Sequence, residues 1–525
     1  MSITTQEATV RIYDTTLRDG TQGEGVSFSS ADKIRIAERL DEFGVDYIEG
    51  GWPGSNPKDV EFFEEACRRE WKHTKIAAFG STRRADLSVE DDPQVALLLA
   101  AKTPVVTIFG KCWKLHVTEV LRTTPEENLA MIRETVRYLK EAGREVVFDG
   151  EHFFDGYKDD PEYALSAFRA AEEGGADIVV PCDTNGGTLP PEVEKICRGV
   201  GETLSIPFGI HTHDDSGLGV ANALSAVECG AVQVQGTING YGERTGNCNL
   251  TSVIPNLQLK MGRDVVNDLP QLTMVAHFVD EVANCAHNER APFVGRTAFS
   301  HKGGMHVNAV QKLARTYEHI EPREVGNSQH ILVSELSGQS NVLLKAEELG
   351  LPLDKGSAEV KQILGDLKDL EKEGYEFEAA DASFELLVRK AIGRYEPLFE
   401  MLEYHSSFRL RGGNYKTCEA TVKLSVNGTR EYTVAEGDGP INALDGALRR
   451  ALLPFYPMIE KVQLTDYKVR IIDSHTGTAA RTRVLVTSSD GHEDWGTVGV
   501  SDNVIEASWL ALVDSFEYYL LGRAR

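Results

Sequence analysis

VRIYDTTLRDGTQGEGVSFSSADKIRIAERLDEFGVDYIEG, residues 10–50, carries in one stretch the grammar that decides the fold. VRIYD (10–14) is a short apolar run with β-branched residues and reads as a strand. TTLRDGTQGEG (15–25) is too polar and Gly-rich for a helix and reads as the loop that follows. SSADKIRIAERLDEFG (29–44) then supplies an N-cap Ser, an apolar stripe at helical spacing and a closing Gly. VDYIEG (45–50) is the next strand, so the stretch is a βα unit whose repetition predicts a parallel sheet.

The alternation continues as far as Asn239. Further candidate strands are KIAAFG (75–80), VVTIFG (105–110), EVVFDGE (145–151), DIVVPCDT (177–184), FGIHTH (208–213) and QVQGTING (233–240). PEENLAMIRETVRYLKEAG (125–143) repeats the helical grammar. Eight strands over roughly 230 residues fit a closed (β/α)8 TIM barrel of the usual size near 250, whereas an open doubly wound sheet would need fewer. The expected class is therefore α/β, with a catalytic barrel over residues 1–275.

Beyond residue 275, helical segments are broken by RAPFVGRTAFSHKGGMHVNAV (290–310) and YEHIEPREVGN (317–327), which predicts a linker or helical subdomain over 276–400. From about Lys416 the pattern changes again. ATVKLSVNG and TREYTVAEG read as a hairpin around Asn427-Gly428, followed by the helical INALDGALRRALLPF. YKVRIIDS, ARTRVLVTSSD and EDWGTVGVS, followed by NVIEASWLALVDSFEYYLL, repeat the plan. Residues 401–525 are thus expected to form a duplicated α+β regulatory domain with a pseudo-symmetric crevice.

A chain of 525 residues with 41% hydrophobic and 26% charged residues is globular, and its size predicts three to five folding units at roughly 100–200 residues each. With 81 acidic against 55 basic residues, the net charge of −26 disfavours nucleic acid and anionic membranes as partners. The eight cysteines contain no C-x-x-C, so neither a disulfide framework nor a zinc ribbon is expected. The N-terminus lacks a signal-peptide pattern, and no apolar run reaches about 18 residues, which predicts a cytoplasmic protein.

Catalytic groups of a barrel gather where its strands end, and several strands here end in polar text. In HTHDD (211–215), residues i and i+2 of a strand face the same way, so His211 and His213 can present two imidazoles to one metal ion. Asp19, just beyond the first strand, supplies a third ligand. Two histidines and one carboxylate suit a divalent cation that polarises a carbonyl; the plainer alternative is a pair of histidines hydrogen-bonded at a strand end. Arg18 can hold a carboxylate or stabilise an enolate oxygen, or else form a surface ion pair. Glu151 is an acid/base candidate or a solvated loop carboxylate.

NGYGERTGN (239–247) spaces its glycines G-x-G-x-x-x-G, one residue too long for a dinucleotide loop, so a Rossmann reading is rejected. Its turn instead brings Glu243, Arg244 and Asn247 over the barrel mouth, where Asn247 can add a neutral oxygen to the metal shell. HKGGMH (301–306) places two more histidines on a glycine-hinged stretch outside the barrel.

YDTTLRDGTQGEG (13–25), HTHDDSGLGVANALSAVECGA (211–231) and NGYGERTGN together resemble the DRE-TIM metallolyase superfamily. FSHKGGMHVNAV (299–310) and the duplicated tail resemble its Claisen-condensing branch, the 2-isopropylmalate, homocitrate and citramalate synthases. GEHFFDGYK (150–158) and IFGKCWKLHV (108–117) are most similar to the citramalate synthase subgroup. The resemblance implies a homodimer acting on pyruvate and acetyl-CoA. It also implies that Asp19, His211 and His213 bind a divalent cation (Mn, Mg or Zn), with Asn247 completing the shell. Arg18 would stabilise the enolic oxygen, and Thr184 and Glu151 would line the 2-oxo acid site. His306, delivered by a neighbouring subunit's linker, would act as acid/base, with Tyr317 on the acetyl-CoA side. The crevice of the tail would bind a pathway end product, isoleucine. Asp214 departs from the H-x-H-N-D of relatives, which puts in doubt any role for an amide there.

Three alternatives follow from the same residues. The oxo acid can be 2-oxoisovalerate or 2-oxoglutarate; the barrel can be a lyase cleaving a related C–C bond; or the protein can be a metal-containing sensor without turnover. The tail of about 250 residues argues against a lyase. The joint presence of Arg18, Glu151 and His306 argues against a sensor.

Overall fold

A computed structural model describes residues 9–331, 339–351, 353–411, 415–472 and 480–523. Residues 1–8, part of the N-terminus searched above for a signal-peptide pattern, lie outside the described residues. The chain divides into two compact units, one of residues up to 299 with 320–328, the other of 300–319 with 329–525.

The first unit is a closed barrel of eight parallel strands in chain order: Arg11–Asp14 (β1), Tyr47–Gly51 (β2), Lys75–Ser81 (β3), Val105–Lys111 (β4), Glu145–Glu151 (β5), Ile178–Asp183 (β6), Ile210–Thr212 (β7) and Gln233–Gly236 (β8). Closure is made by β1 against β8, with Asp14 opposite Gly236. Each candidate strand is present. β8 stops earlier than expected because residues 238–240 coil into a 3-10 turn with Asn239 at φ 61°.

Between strands, local chemistry sets the helices. Ser29 and Asp32 form a reciprocal capping box at the start of helix 30–43, and Gly44, at φ 96°, ends it in the left-handed region. Inside the barrel the strand period of two brings Tyr13, Tyr47, Ala77, Val105, Val147, Ile178, Val180 and Cys182 into one buried cluster. This apolar plug floors the cavity above it.

The first unit extends past the boundary expected at residue 275. That position falls inside helix Leu272–Ala283, whose Leu272, Val275, Ala276 and Val279 are buried in the barrel's outer core, so the first unit runs on to 299.

The second unit opens with two short parallel strands, Ser300–His301 (β9) and His330–Ile331 (β10), and helices 304–312, 339–348, 358–373 and 381–391. Two three-stranded antiparallel sheets follow. Glu400–Arg411 (β11), Tyr415–Val426 (β12) and Thr429–Gly437 (β13) precede helix 440–452, and Gln463–Ile471 (β14), Thr482–Ser489 (β15) and Asp494–Ser501 (β16) precede helix 504–523. The duplicated plan is thus observed, with β11 as an added strand that the sequence reading left out. Asn427 (φ 51°) and Gly428 (φ 81°) make the tight hairpin turn between β12 and β13.

All eight cysteines are free. Among the described residues no helix is long and apolar enough to cross a membrane.

Candidate active site

The loop after β1 delivers Arg18 and Asp19 to the C-terminal mouth of the barrel. Thr15 shapes this loop, its carbonyl accepting the amide of Asp19 at 2.9 Å. Arg18 Nε donates to Glu49 Oε1 at 2.6 Å, Nη1 lies 3.3 Å from Asp19 Oδ1, and the guanidinium sits 3.7 Å above the Phe79 ring. Glu49 is fully buried in the middle of β2 and also accepts from Tyr13 Oη (2.5 Å) and Thr15 Oγ1 (2.6 Å). Arg18 is therefore pinned in a buried network rather than in a surface ion pair. Burial opposes its charge, but Asp19 and Glu49 outweigh that and hold it firmly protonated.

His211 and His213 project from β7 and the residue after it, with ring centres 5.2 Å apart. One ligand atom each from Asp19, His211 and His213 lies within 4.8 Å of the others, and all three residues are buried. That spacing allows one ion to gather them at ligand distances of about 2.0–2.2 Å. Burial pushes both imidazoles toward the neutral form that ligates, His213 down to about 3. Burial would raise Asp19, but the Arg18 guanidinium beside it holds its carboxyl below the usual range.

A backbone bridge sets Asn247 beside His213, and Asn247 Oδ1 is buried with no hydrogen-bond partner. An orphaned amide oxygen of this kind costs free energy unless something binds it. The donor set fits a divalent cation.

These groups open into a cavity of about 250 Å³ lined also by Glu151, Thr184, Asp149, Glu243 and the rings of Trp52, Phe79 and Phe109. Glu151, at the end of β5, is paired with Lys111 at the end of β4. Thr184 Oγ1 accepts the amide of His152 at 2.9 Å. Asp149 is buried, and burial together with Glu49 raises its pKa well above the carboxylate range. The aromatic wall is held tightly: Phe79 stacks on Phe109 at 5.5 Å, and Trp52 stands edge-on to both. Trp52 is fixed by Asp59, which accepts its amide at 2.8 Å, and by Gln94, which accepts from Nε1 at 3.0 Å.

The barrel cavity thus brings together Arg18, Asp19, Glu151, Thr184, His211 and His213, with Asn247 beside them. His306 and Tyr317 belong to the second unit, where their rings stack at 4.2 Å. The departure at Asp214 has a structural reading. Its Oδ1 accepts the amide of Gly219 at 2.8 Å, a role that a carboxylate fills as well as an amide oxygen. The neighbouring Asp215 pairs with Arg244, which also donates to the Thr184 carbonyl at 2.7 Å.

Sequence reading missed Gln235, Trp52, Phe79 and Phe109. Phe79 and Phe109 each stand at an inward position two residues before the end of β3 and β4, so counting in steps of two would have found them. Trp52 follows β2 and gave no such signal.

Comparison with known proteins places this geometry in a family. Residues 9–279 match the HMGL-like family, 293–375 the homocitrate synthase post-HMGL domain-like family, and 378–520 the LeuA allosteric (dimerisation) domain. The (R)-citramalate synthase of Aquifex aeolicus is 57% identical over 98% of this chain and 98% of its own. That of Synechocystis sp. is 52% identical over 98% and 97%. The chain belongs to the (R)-citramalate synthase family. A more distant relative, the 2-isopropylmalate synthase of Methanocaldococcus jannaschii, is 30% identical over 98% of this chain and 96% of that one. Family membership therefore spans the whole chain, tail included.

Proposed function

We propose that the protein condenses acetyl-CoA with pyruvate to give (R)-citramalate and CoA. The observation that carries this reading is the Asp19–His211–His213 trio opening, with Arg18, into one small cavity walled by three aromatic rings. Asp19, His211 and His213 would hold a divalent cation, which would supply Lewis acidity to the 2-oxo acid.

The chain's own residues do the rest. Thr184 Oγ1 already accepts from the His152 amide, so its hydroxyl proton is available to the substrate carboxylate. Trp52, Phe79 and Phe109 crowd the cavity side, which suits the methyl of pyruvate better than the longer side chains of 2-oxoisovalerate or 2-oxoglutarate. A base removes a methyl proton from acetyl-CoA; His306, stacked on Tyr317 in the linker of a neighbouring subunit, is assigned to it. The enolate carbon bonds to the keto carbon, and the charge developing on the keto oxygen is met by Arg18. The proton that His306 took up returns to the new alkoxide, with Glu151, held by Lys111, as the relay at the forming hydroxyl. Water then cleaves the thioester and releases CoA.

In this reading the barrel is catalytic, the segment that follows links and delivers His306, and residues 401–525 dimerise and bind isoleucine as effector in a cytoplasmic enzyme. The test is release of CoA thiol by the purified chain from acetyl-CoA and pyruvate, with Mn²⁺ and after chelation. A competition among pyruvate, 2-oxoisovalerate and 2-oxoglutarate follows. Absence of metal-dependent thiol release overturns the reaction, and preference for a longer acid overturns the substrate.

A further inference from the structure

Gln235 is buried on β8 and makes two hydrogen bonds that run across the barrel interior. Its Nε2 donates to Asp149 Oδ1 on β5 at 2.9 Å, and its Oε1 lies 3.0 Å from His211 Nδ1 on β7. In the structure the NH2 of Gln235 faces Asp149, whose Oδ1 accepts as a carbonyl oxygen does, and the Gln235 carbonyl faces His211. A carbonyl only accepts, so His211 must carry its proton on Nδ1. The lone pair is then left on Nε2, which lies 3.6 Å from Asp19 Oδ2 and faces the ligand cluster. His213 has no such carbonyl; its Nδ1 faces the Arg244 guanidinium at 3.2 Å. Of the two histidines, His211 is the one whose Nδ1 faces a side-chain carbonyl rather than a donor.

We propose that Gln235, itself aimed by Asp149, is a positioning residue that fixes His211 as the Nδ1–H tautomer and presents its Nε2 lone pair to the cation. The proposal rests on the metal reading of Asp19, His211 and His213 given above. It deepens that reading by placing the choice of tautomer in residues that touch neither cation nor substrate. Partners of this kind orient a ligand and raise its basicity, and their loss typically costs about 10–100-fold in metal affinity.

The experiment measures Mn²⁺ binding to the metal-stripped full chain by calorimetry, without substrates, with thermal unfolding checked for each variant. Gln235→Met keeps the volume but removes both bonds, and Mn²⁺ affinity is expected to fall by about 10–100-fold. The double variant Asp149→Asn with Gln235→Glu restores an acceptor for His211 and a donor for residue 235. Affinity within about threefold of the parent is expected, an exchange of polarity that packing alone would not rescue. Selective ¹⁵N-histidine spectra of the metal-free chain should show His211 protonated at Nδ1 in the parent and in the double variant, but not in Gln235→Met.

His211→Ala separates the two levels of the argument. Parent-like Mn²⁺ affinity in His211→Ala overturns the metal assignment and the proposal with it. Loss in His211→Ala with parent-like affinity and tautomer in Gln235→Met overturns the positioning role alone.

Discussion

At Arg18 the whole design of the site is concentrated in one side chain. Its Nε is committed to Glu49, its plane lies on Phe79, and its remaining donors face the cavity and Asp19. Lysine would keep the charge but lose the planar, multi-donor geometry. Arg18→Lys should therefore lower kcat by about 10²–10³-fold, as loss of a preorganised oxyanion donor does, with a smaller change in the KM for pyruvate. Steady-state kinetics decide, and unchanged turnover would remove Arg18 from the chemistry. Asp14 gives a second prediction at this scale. It is buried at the end of β1, and burial pushes its pKa from 3.8 up to about 7 despite hydrogen bonds from Thr16. A raised folded-state value means the folded protein holds the proton more tightly than the unfolded chain. The associated stability is complete below about pH 4 and is lost as pH rises through about 7. Relative to Asp14→Asn, the parent should lose a few kcal/mol between those limits, at about 1.4 kcal/mol per unit. Denaturant midpoints of both proteins across this range provide the measurement, and a pH-independent difference would contradict it.

Between elements, a buried ion pair joins the first two barrel helices to the cavity wall. Lys33, on helix 30–43, donates to Asp59 Oδ1 of helix 57–66 and to the Gly50 carbonyl at 2.9 Å. The other oxygen of Asp59 holds the amide of Trp52. Both charged groups are buried, so removing one leaves the other uncompensated, at a cost of about 3–5 kcal/mol. Lys33→Met should lower the unfolding midpoint of the barrel accordingly and disturb Trp52 fluorescence in the folded protein. A stability change under about 0.5 kcal/mol would show that Asp59 finds another partner. The sequence showed Lys33 only as one polar residue on an amphipathic helix; its burial follows from where helix 57–66 lies.

On the scale of the molecule, two predictions concern cooperation between parts. If His306 serves a neighbour's barrel, mixing inactive His306→Ala chains with inactive His211→Ala chains should restore activity, since some hybrid sites hold both groups. Two-fold assemblies make such reciprocal donation natural. Absence of recovery after verified subunit exchange would assign His306 to its own barrel. The effector role proposed above for the duplicated tail, which matches the LeuA allosteric (dimerisation) domain, predicts that any feedback by isoleucine is non-competitive or mixed toward pyruvate. Substitutions at Gly437–Pro440 or Ser501–Val504 should weaken that inhibition more than basal turnover. A titration with isoleucine, leucine and lysine across pyruvate concentrations checks this, and purely competitive inhibition would reject it.

Local periodicity alone determined the barrel, the repeated tail and the pairing of His211 with His213. Strand and helix periods, caps and the i, i+2 rule act over a few residues and need no knowledge of the rest of the chain. Placing Asp19 beside them needed only the rule that barrel strand ends converge. What the tertiary structure decided is which inward-facing groups meet. Arg18 finds Glu49 across 31 residues, His211 finds Gln235 across 24, and Gln235 finds Asp149 across 86. Alternation tells which side chains point inward but not which of them share a layer, because that depends on the tilt and stagger with which eight strands close. For the same reason the orphaned Asn247 oxygen and the aromatic wall emerge only once the barrel is closed, when burial makes every unpaired polar atom costly and every cavity wall specific.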